Sequence, residues 1–191
     1  YNKPTMGGLY QHFTAIADAV SIPGILYNVP SRTALNMDSA TTLRLADVPN
    51  IVGVKEASSD PDQIAYVIKD SPEGFRVWSG NDNEILSTMA VGGYGIVSVA
   101  GNIISGQIQK MMGLLLEGDV EAAAAEHLRL LPIFNALFYI TNPIPIRYAM
   151  NRSGFSVGPA RLPMVPEPSE LAAFSARFDP IMDQYAIDLA D

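Results

Sequence analysis

Four times between residues 24 and 117 a short apolar stretch gives way to a stretch with helical spacing, and this alternation limits the chain more than any other feature. Residues 24–29, the run opening at Ile51, residues 75–79 and residues 95–99 read as strands. Their apolar side chains fall on both faces, the mark of a parallel sheet covered by helices. A helix with Leu9, Phe13, Ile16, Ala17 and Val20 on one face precedes the first strand, after a loop through Gly8, and ends before Ile22 and Pro23. Asp38 caps a short helix carrying Leu43 and Leu45. Asp60, Pro61 and Gln63 supply the cap, the first-turn proline and the capping-box residue of the next, which carries Ile64, Val67 and Ile68. Asn81 or Asp82 caps a helix through Met89 that Gly92 and Gly93 stop, and a helix from about Ile103 to Glu117 closes the alternation. From Asp119 onward the pattern is helical only: an alanine-rich helix kinked near Pro132, one opening at Asn142 and Pro143, and one capped by Ser169 after a proline-rich loop. The pattern therefore divides at 1–117 and 118–191.

Two open questions follow: which parallel architecture, and what it carries. A doubly wound nucleotide fold wants a glycine fingerprint between its first strand and helix. Gly92 and Gly93 instead precede a strand that opens at Gly95, and the run reads as a helix stop with a tight turn. A (β/α)8 barrel fits better, because unusual polar residues collect at the C-terminal ends of different strands: Tyr27 with Arg32, Lys55, and Ser79 with Gly80 and Asn81. That is the end where barrel sites are built.

Lys55 stands out, because Ile51 to Val54 are apolar or glycine. It shares a strand face with Ile51 and Gly53, whereas Glu56 points the other way and cannot pair with it in place. One reading is a packed stem with its ammonium in water. The other is a nucleophile, which needs a desolvated amine or cationic neighbours because a lysine in water is almost wholly protonated at neutral pH. Gly53 on the same face leaves room for a substrate in that second reading. Tyr27 and Arg32 have their own plain readings, a half-buried core tyrosine and a loop arginine in a weak ion pair.

Composition narrows the classes. A net charge of -8 and a pI near 4.6, without any cluster of Lys or Arg, argue against a nucleic-acid or anionic-membrane surface. No apolar run is long enough to span a bilayer. Cysteine is absent, which removes thiol nucleophiles and thiolate metal sites and fits a reducing compartment. Of the two histidines, His12 and His127, each sits in a helical pattern, which makes packing or surface roles the simpler reading.

The motifs Tyr27-Asn-Val-Pro-Ser-Arg-Thr33, Gly53-Val-Lys-Glu-Ala57, Ser79-Gly80, Gly95-Ile-Val-Ser-Val99, Asn142-Pro-Ile-Pro-Ile-Arg147 and Arg161-Leu-Pro-Met164, in this order, resemble the dihydrodipicolinate synthase family. The resemblance covers nearly all of the chain and begins partway through the family pattern, after the fourth barrel strand. It implies the second half of a (β/α)8 TIM barrel with a C-terminal helical extension, the first four βα units and the Gly-Thr-Thr-Gly motif lying outside this sequence. Two departures stand out: Ala34, where glycine is usual, and Asn81, where aspartate is common.

The resemblance further implies a class I lyase in lysine and diaminopimelate biosynthesis, cytoplasmic, with no metal and no cofactor. Pyruvate and aspartate semialdehyde are its implied substrates, and a tetramer of two tight dimers its implied assembly. Lys55 becomes the Schiff-base nucleophile for pyruvate, Tyr27 the proton relay over the imine, and Tyr1 a second relay tyrosine reaching a neighbouring subunit. Arg32 becomes the clamp for the carboxylate of aspartate semialdehyde, a task suited to a planar bidentate donor. Gly80 and Val97 approach the keto acid by backbone, and Asn142, at a helix start, supports the entrance. A sister enzyme with the same imine chemistry, of the N-acetylneuraminate lyase or keto-deoxy-sugar aldolase type, would generally lack an arginine at position 32. An inert half-barrel is the remaining alternative. Four parallel strands alone leave open edges and an uncovered apolar face, so a chain of this length should pair with a complementary half-barrel.

Overall fold

The computed structural model describes residues 2–185, in two compact units, 1–97 and 98–191. The first unit holds the alternation. Helix α1 (Met6–Ala19) begins three residues earlier than its apolar face suggested, because the Thr5 hydroxyl accepts a hydrogen bond from the Gly8 amide at 3.1 Å. There follow β1 (Gly24–Asn28), the single turn α2 (Pro30–Thr33), α3 (Ser39–Ala46), β2 (Ile51–Glu56), α4 (Pro61–Asp70) and β3 (Arg76–Ser79). A 3₁₀ turn (Asp82–Glu84), α5 (Ile85–Ala90) and β4 (Gly95–Ile96) complete the unit.

Two of the caps that the sequence announced are in place, whereas α5 is flanked by Glu84 and not by the expected Asn81 or Asp82. Asp38 accepts from the Thr41 amide at 2.7 Å and Asp60 from the Gln63 amide at 3.0 Å. Beyond α5 the chain turns at Gly92 and Gly93, whose amides return to the Met89 and Thr88 carbonyls at 3.0 and 2.9 Å. Strand β4 is shorter than the expected 95–99. Its ladder stops at Ile96, although the Val97 amide still donates to the Ser79 carbonyl at 3.0 Å.

The four strands are parallel and lie in the order β1-β2-β3-β4. A doubly wound sheet reverses its strand order at a switch point, and this sheet has no such reversal, so it has the order of a barrel wall. Leu26, Val54 and Val77 stand abreast in register and form the core with Ala17 of α1, Leu45 of α3 and Val67 of α4. Alternation sends Ile25, Tyr27, Lys55 and Trp78 to the opposite face, where Ile25 and Tyr27 are about half exposed.

The second unit is helical: α6 (Gly101–Leu116), α7 (Val120–Ala136), α8 (Ile144–Arg152) and α9 (Pro168–Gln184). The Ser98 hydroxyl accepts from the Gly101 amide at 2.7 Å where α6 begins, and Pro132 lies within α7. Two expected helix starts are corrected. The residue flanking α8 is Pro143, with Asn142 one position further out. Helix α9 is flanked by Glu167, whose amide donates to the Glu170 carboxylate at 2.9 Å; Pro168 takes the first helical position, which puts Ser169 inside the first turn. Phe174 and Phe178 stack at 4.8 Å with Tyr148 edge-on to both, and the Tyr148 hydroxyl donates to Asp179 at 3.0 Å. The division at residue 97 places α6 in this unit by compactness, whereas the division at 117 follows the pattern of elements. Among the described residues no helix is long and apolar enough to cross a membrane.

Two predictions rest on this framework. Ala34, the residue after α2, has φ 55 and ψ 24, a left-handed conformation that a Cβ makes costly. Ala34→Gly should raise unfolding stability by about 0.5–1 kcal/mol, after allowing for glycine's greater unfolded freedom, read from the urea midpoint. Burial lowers the His127 imidazole below its usual 6.5. Between those two values the unfolded chain binds a proton that the native chain does not, so stability is lost as pH falls below about 6.5. His127→Gln should therefore lose less stability than the parent chain when denaturant midpoints are compared at about pH 7.5 and 5.5.

Candidate active site

Parallel pairing sets the site. Tyr27 is the register partner of Lys55, and Lys55 of Trp78, so three large side chains stand in one row across β1, β2 and β3 on the face away from the helices. The Lys55 Nζ lies 4.2 Å from the centroid of the Tyr27 ring, a cation–π contact. Among the described residues no carboxylate stands within ion-pair distance of this nitrogen. Lys55 and Tyr27, two of the residues singled out in the sequence, are therefore in contact.

Gly80 closes the other side of the lysine stem. A Cβ at this position would stand 2.6 Å from Ala57 Cβ, which excludes a side chain, and 3.2 Å from Lys55 Cε, which would crowd the stem. The Gly80 amide donates to the Glu56 carbonyl at 2.7 Å, which fixes the end of β3 to the end of β2. The Ser79 hydroxyl, fully buried, donates to the Asn81 carbonyl at 2.9 Å and accepts from the Asn81 amide at 3.2 Å, holding the turn that follows.

Gly53 has a different use from the one its position suggested. A Cβ there would come within 2.4 Å of the Arg76 carbonyl oxygen and 2.5 Å of the Trp78 ring. The space beside Lys55 on its own strand is thus taken by β3 and its tryptophan.

Arg32 projects from α2, the turn that continues directly from β1, and its residue is exposed. The turn is closed by the Ala34 amide on the Pro30 carbonyl at 2.8 Å and the Arg32 amide on the Val29 carbonyl at 3.0 Å. Val97, also exposed, follows β4 at the same end of the sheet. Asn142 belongs to the second unit. Tyr1 lies outside the described residues. No three His, Asp or Glu side chains among the described residues stand together in a way that would hold a metal ion.

Behind the row, on the helix-covered face, lies a polar cluster that the sequence reading passed over. Asn28, Glu56 and Ser79 are register partners, at most 3% exposed, in the same strands as Tyr27, Lys55 and Trp78. Glu56 accepts from the Asn28 side-chain amide at 2.9 Å, the Ser58 backbone amide at 2.8 Å and the Gln63 side-chain amide at 3.2 Å. Burial pushes the Glu56 carboxyl above the usual 4.5, against the pull of the bonds from Ser58, Gln63 and Asn28. The available signal was a polar residue at the core-facing position of two adjacent strands.

Comparison with known proteins matches this arrangement to one family. Residues 1–174 match the model of the dihydrodipicolinate synthetase family. The chain is 55% identical over 166 residues to 4-hydroxy-tetrahydrodipicolinate synthase of Symbiobacterium thermophilum, a match covering 86% of this chain and 56% of that protein. It is 48% identical over 189 residues to the synthase of the same name from Dehalococcoides mccartyi, covering 99% of this chain and 63% of that one. Among solved structures, dihydrodipicolinate synthase from Cyanidioschyzon merolae superposes with a TM-score of 0.93 at 38% identity, over 98% of this chain and 63% of that one. The Aquifex aeolicus enzyme superposes with a TM-score of 0.92 at 36% identity, over 100% of this chain and 64% of that one. The chain thus spans less than two thirds of the length of each, and its parallel sheet is the corresponding part of their (β/α)8 barrel. On the match along residues 1–174 and on these superpositions, the chain belongs to the dihydrodipicolinate synthetase family.

Proposed function

We propose that Lys55 forms an imine with pyruvate and that the protein condenses this adduct with aspartate-4-semialdehyde to give 4-hydroxy-tetrahydrodipicolinate. The observation that carries this reading is the contact of Lys55 Nζ with the Tyr27 ring, on the open face of a barrel-type sheet, in a chain of this family. The lysine nitrogen attacks the keto carbon, and water leaves as the imine forms. Loss of a proton from the methyl group gives an enamine, whose carbon attacks the aldehyde of the second substrate. The amine of that substrate then displaces lysine and closes the ring. Holding both partners on one rigid row supplies much of the rate by orientation.

The assigned residues of the first unit that the structure describes have positions consistent with their tasks. Tyr27 covers the amine and is the proton relay. Gly80 leaves space for the lysine stem and, with Val97, presents backbone to the keto acid. Arg32, on the turn after β1, receives the carboxylate of aspartate semialdehyde, and a guanidinium fork suits that planar anion. Asn142 and Tyr1 are proposed as entrance support and second relay. The outer strands and the exposed Ile25 call for further barrel strands beside β1, and assembly as a tetramer of two dimers in the cytoplasm is part of the same proposal.

Incubation with pyruvate and borohydride, followed by peptide mass mapping, tests the reading. A reduced pyruvate adduct on Lys55, lost in Lys55→Ala, is expected, and labelling at other lysines alone would overturn it. Arg32→Ala should keep trapping within about two-fold while turnover with aspartate semialdehyde falls about ten- to hundred-fold, the loss of one charge-assisted contact.

A further inference from the structure

The turn that carries Arg32 is not held to the strands by sheet pairing. Residues 29–37 leave β1 and return to α3 without joining the ladder, so their placement depends on side chains. Met37 is packed in the apolar core, and two amides fix the backbone around it. Asn28 accepts from the Met37 backbone amide at 3.0 Å and donates to the Met37 carbonyl at 3.2 Å and to the Asn36 side-chain oxygen at 2.8 Å. Gln63 donates to the Met37 carbonyl at 3.1 Å and accepts from the Asn36 side-chain amide at 2.8 Å.

Both amides are oriented by one group. The NH2 of Asn28 reaches one oxygen of Glu56, the NH2 of Gln63 reaches the other, and the Ser58 amide completes the set. All three neighbours are donors, which suits an ionised carboxylate, the acceptor-only form. Each amide therefore presents its remaining N–H and its oxygen to residues 36 and 37. Glu56 is fully buried and follows Lys55 directly, and Asn28 follows Tyr27 directly. One carboxylate thus links the residues next to the amine and the phenol with the far end of the Arg32 turn.

We propose that Glu56 is the positioning residue that holds the Arg32 turn in register with Lys55 and Tyr27, and so sets recognition of the second substrate's carboxylate. The proposal rests on the imine reading for its substrate, but not for its structural content. Glu56→Gln keeps the volume while placing an NH2 among donors, so either Asn28 or Gln63 must let go. Bonds to residues 36 and 37 are lost with it.

Hydrogen exchange on the parent chain and E56Q, followed by steady-state kinetics, tests this. Exchange should quicken at least about ten-fold in residues 31–37 while the amides of β2 and β3 keep their protection, the difference expected when a local tie and not the core is released. KM for aspartate semialdehyde should rise about ten-fold or more, with KM for pyruvate and borohydride trapping within about two-fold. Glu56→Asp should recover part of the protection. Unchanged exchange in residues 31–37, or equal rises of both KM values, would overturn the proposal. If E56Q does not fold, Asn36→Ala, which leaves the carboxylate's strand partners in place, should quicken the same segment alone, and protection as in the parent would again overturn it. Failure of the parent chain to trap pyruvate would strike the imine reading, while the exchange result would still decide the role of Glu56.

Discussion

The register of three parallel strands is the constraint on which the rest depends. Because side chains alternate along a strand, the pairing Tyr27–Lys55–Trp78 forces the pairing Asn28–Glu56–Ser79 on the opposite face. A slip of one residue would exchange the rows, sending a carboxylate and an amide to the open face and the lysine into the core. Both rows therefore enforce one register: the apolar core of Leu26, Val54 and Val77 and the buried Glu56 with its donors are satisfied together or not at all.

A carboxylate in the core of a small unit needs a reason. Removing it from water is costly, and stranding it without donors would destabilise the fold by about 3–5 kcal/mol. Here three donors replace the lost water, and the remaining capacity of two of them is spent on residues 36 and 37. The same group thus couples packing to placement of a loop. The open face is built from different physics: a π face, a lysine nitrogen and a glycine that leaves room for the stem. Rigid support behind and an open row in front suit the imine proposed for Lys55, since geometry must be held while a ligand enters and leaves.

Much of this was legible in the residues. Asp38 and Asp60 announced their helices, Gly92 and Gly93 their stop, and Lys55 stood out at the end of an apolar strand that pairs it with Tyr27. What escaped had identifiable causes. Thr5 and Glu167 act as caps at positions where apolar periodicity and a following serine pointed elsewhere. Gly53 looked like space for a ligand because a sequence does not show that Trp78 from the next strand fills it. Glu56 could be assigned a direction but not partners, because Asn28 reaches it only across the paired strands and Gln63 only once α4 has packed. Long-range side-chain bonds of that kind have no local pattern.

The central claim is that the nitrogen beside the Tyr27 ring is the one that bonds to a keto acid. A crystal structure of the protein grown with pyruvate tests it most directly. The account predicts continuous density from Lys55 Nζ into the ligand on the open side of the Tyr27–Lys55–Trp78 row. Pyruvate bound without a bond to Lys55, or bonded to a different lysine, would contradict it.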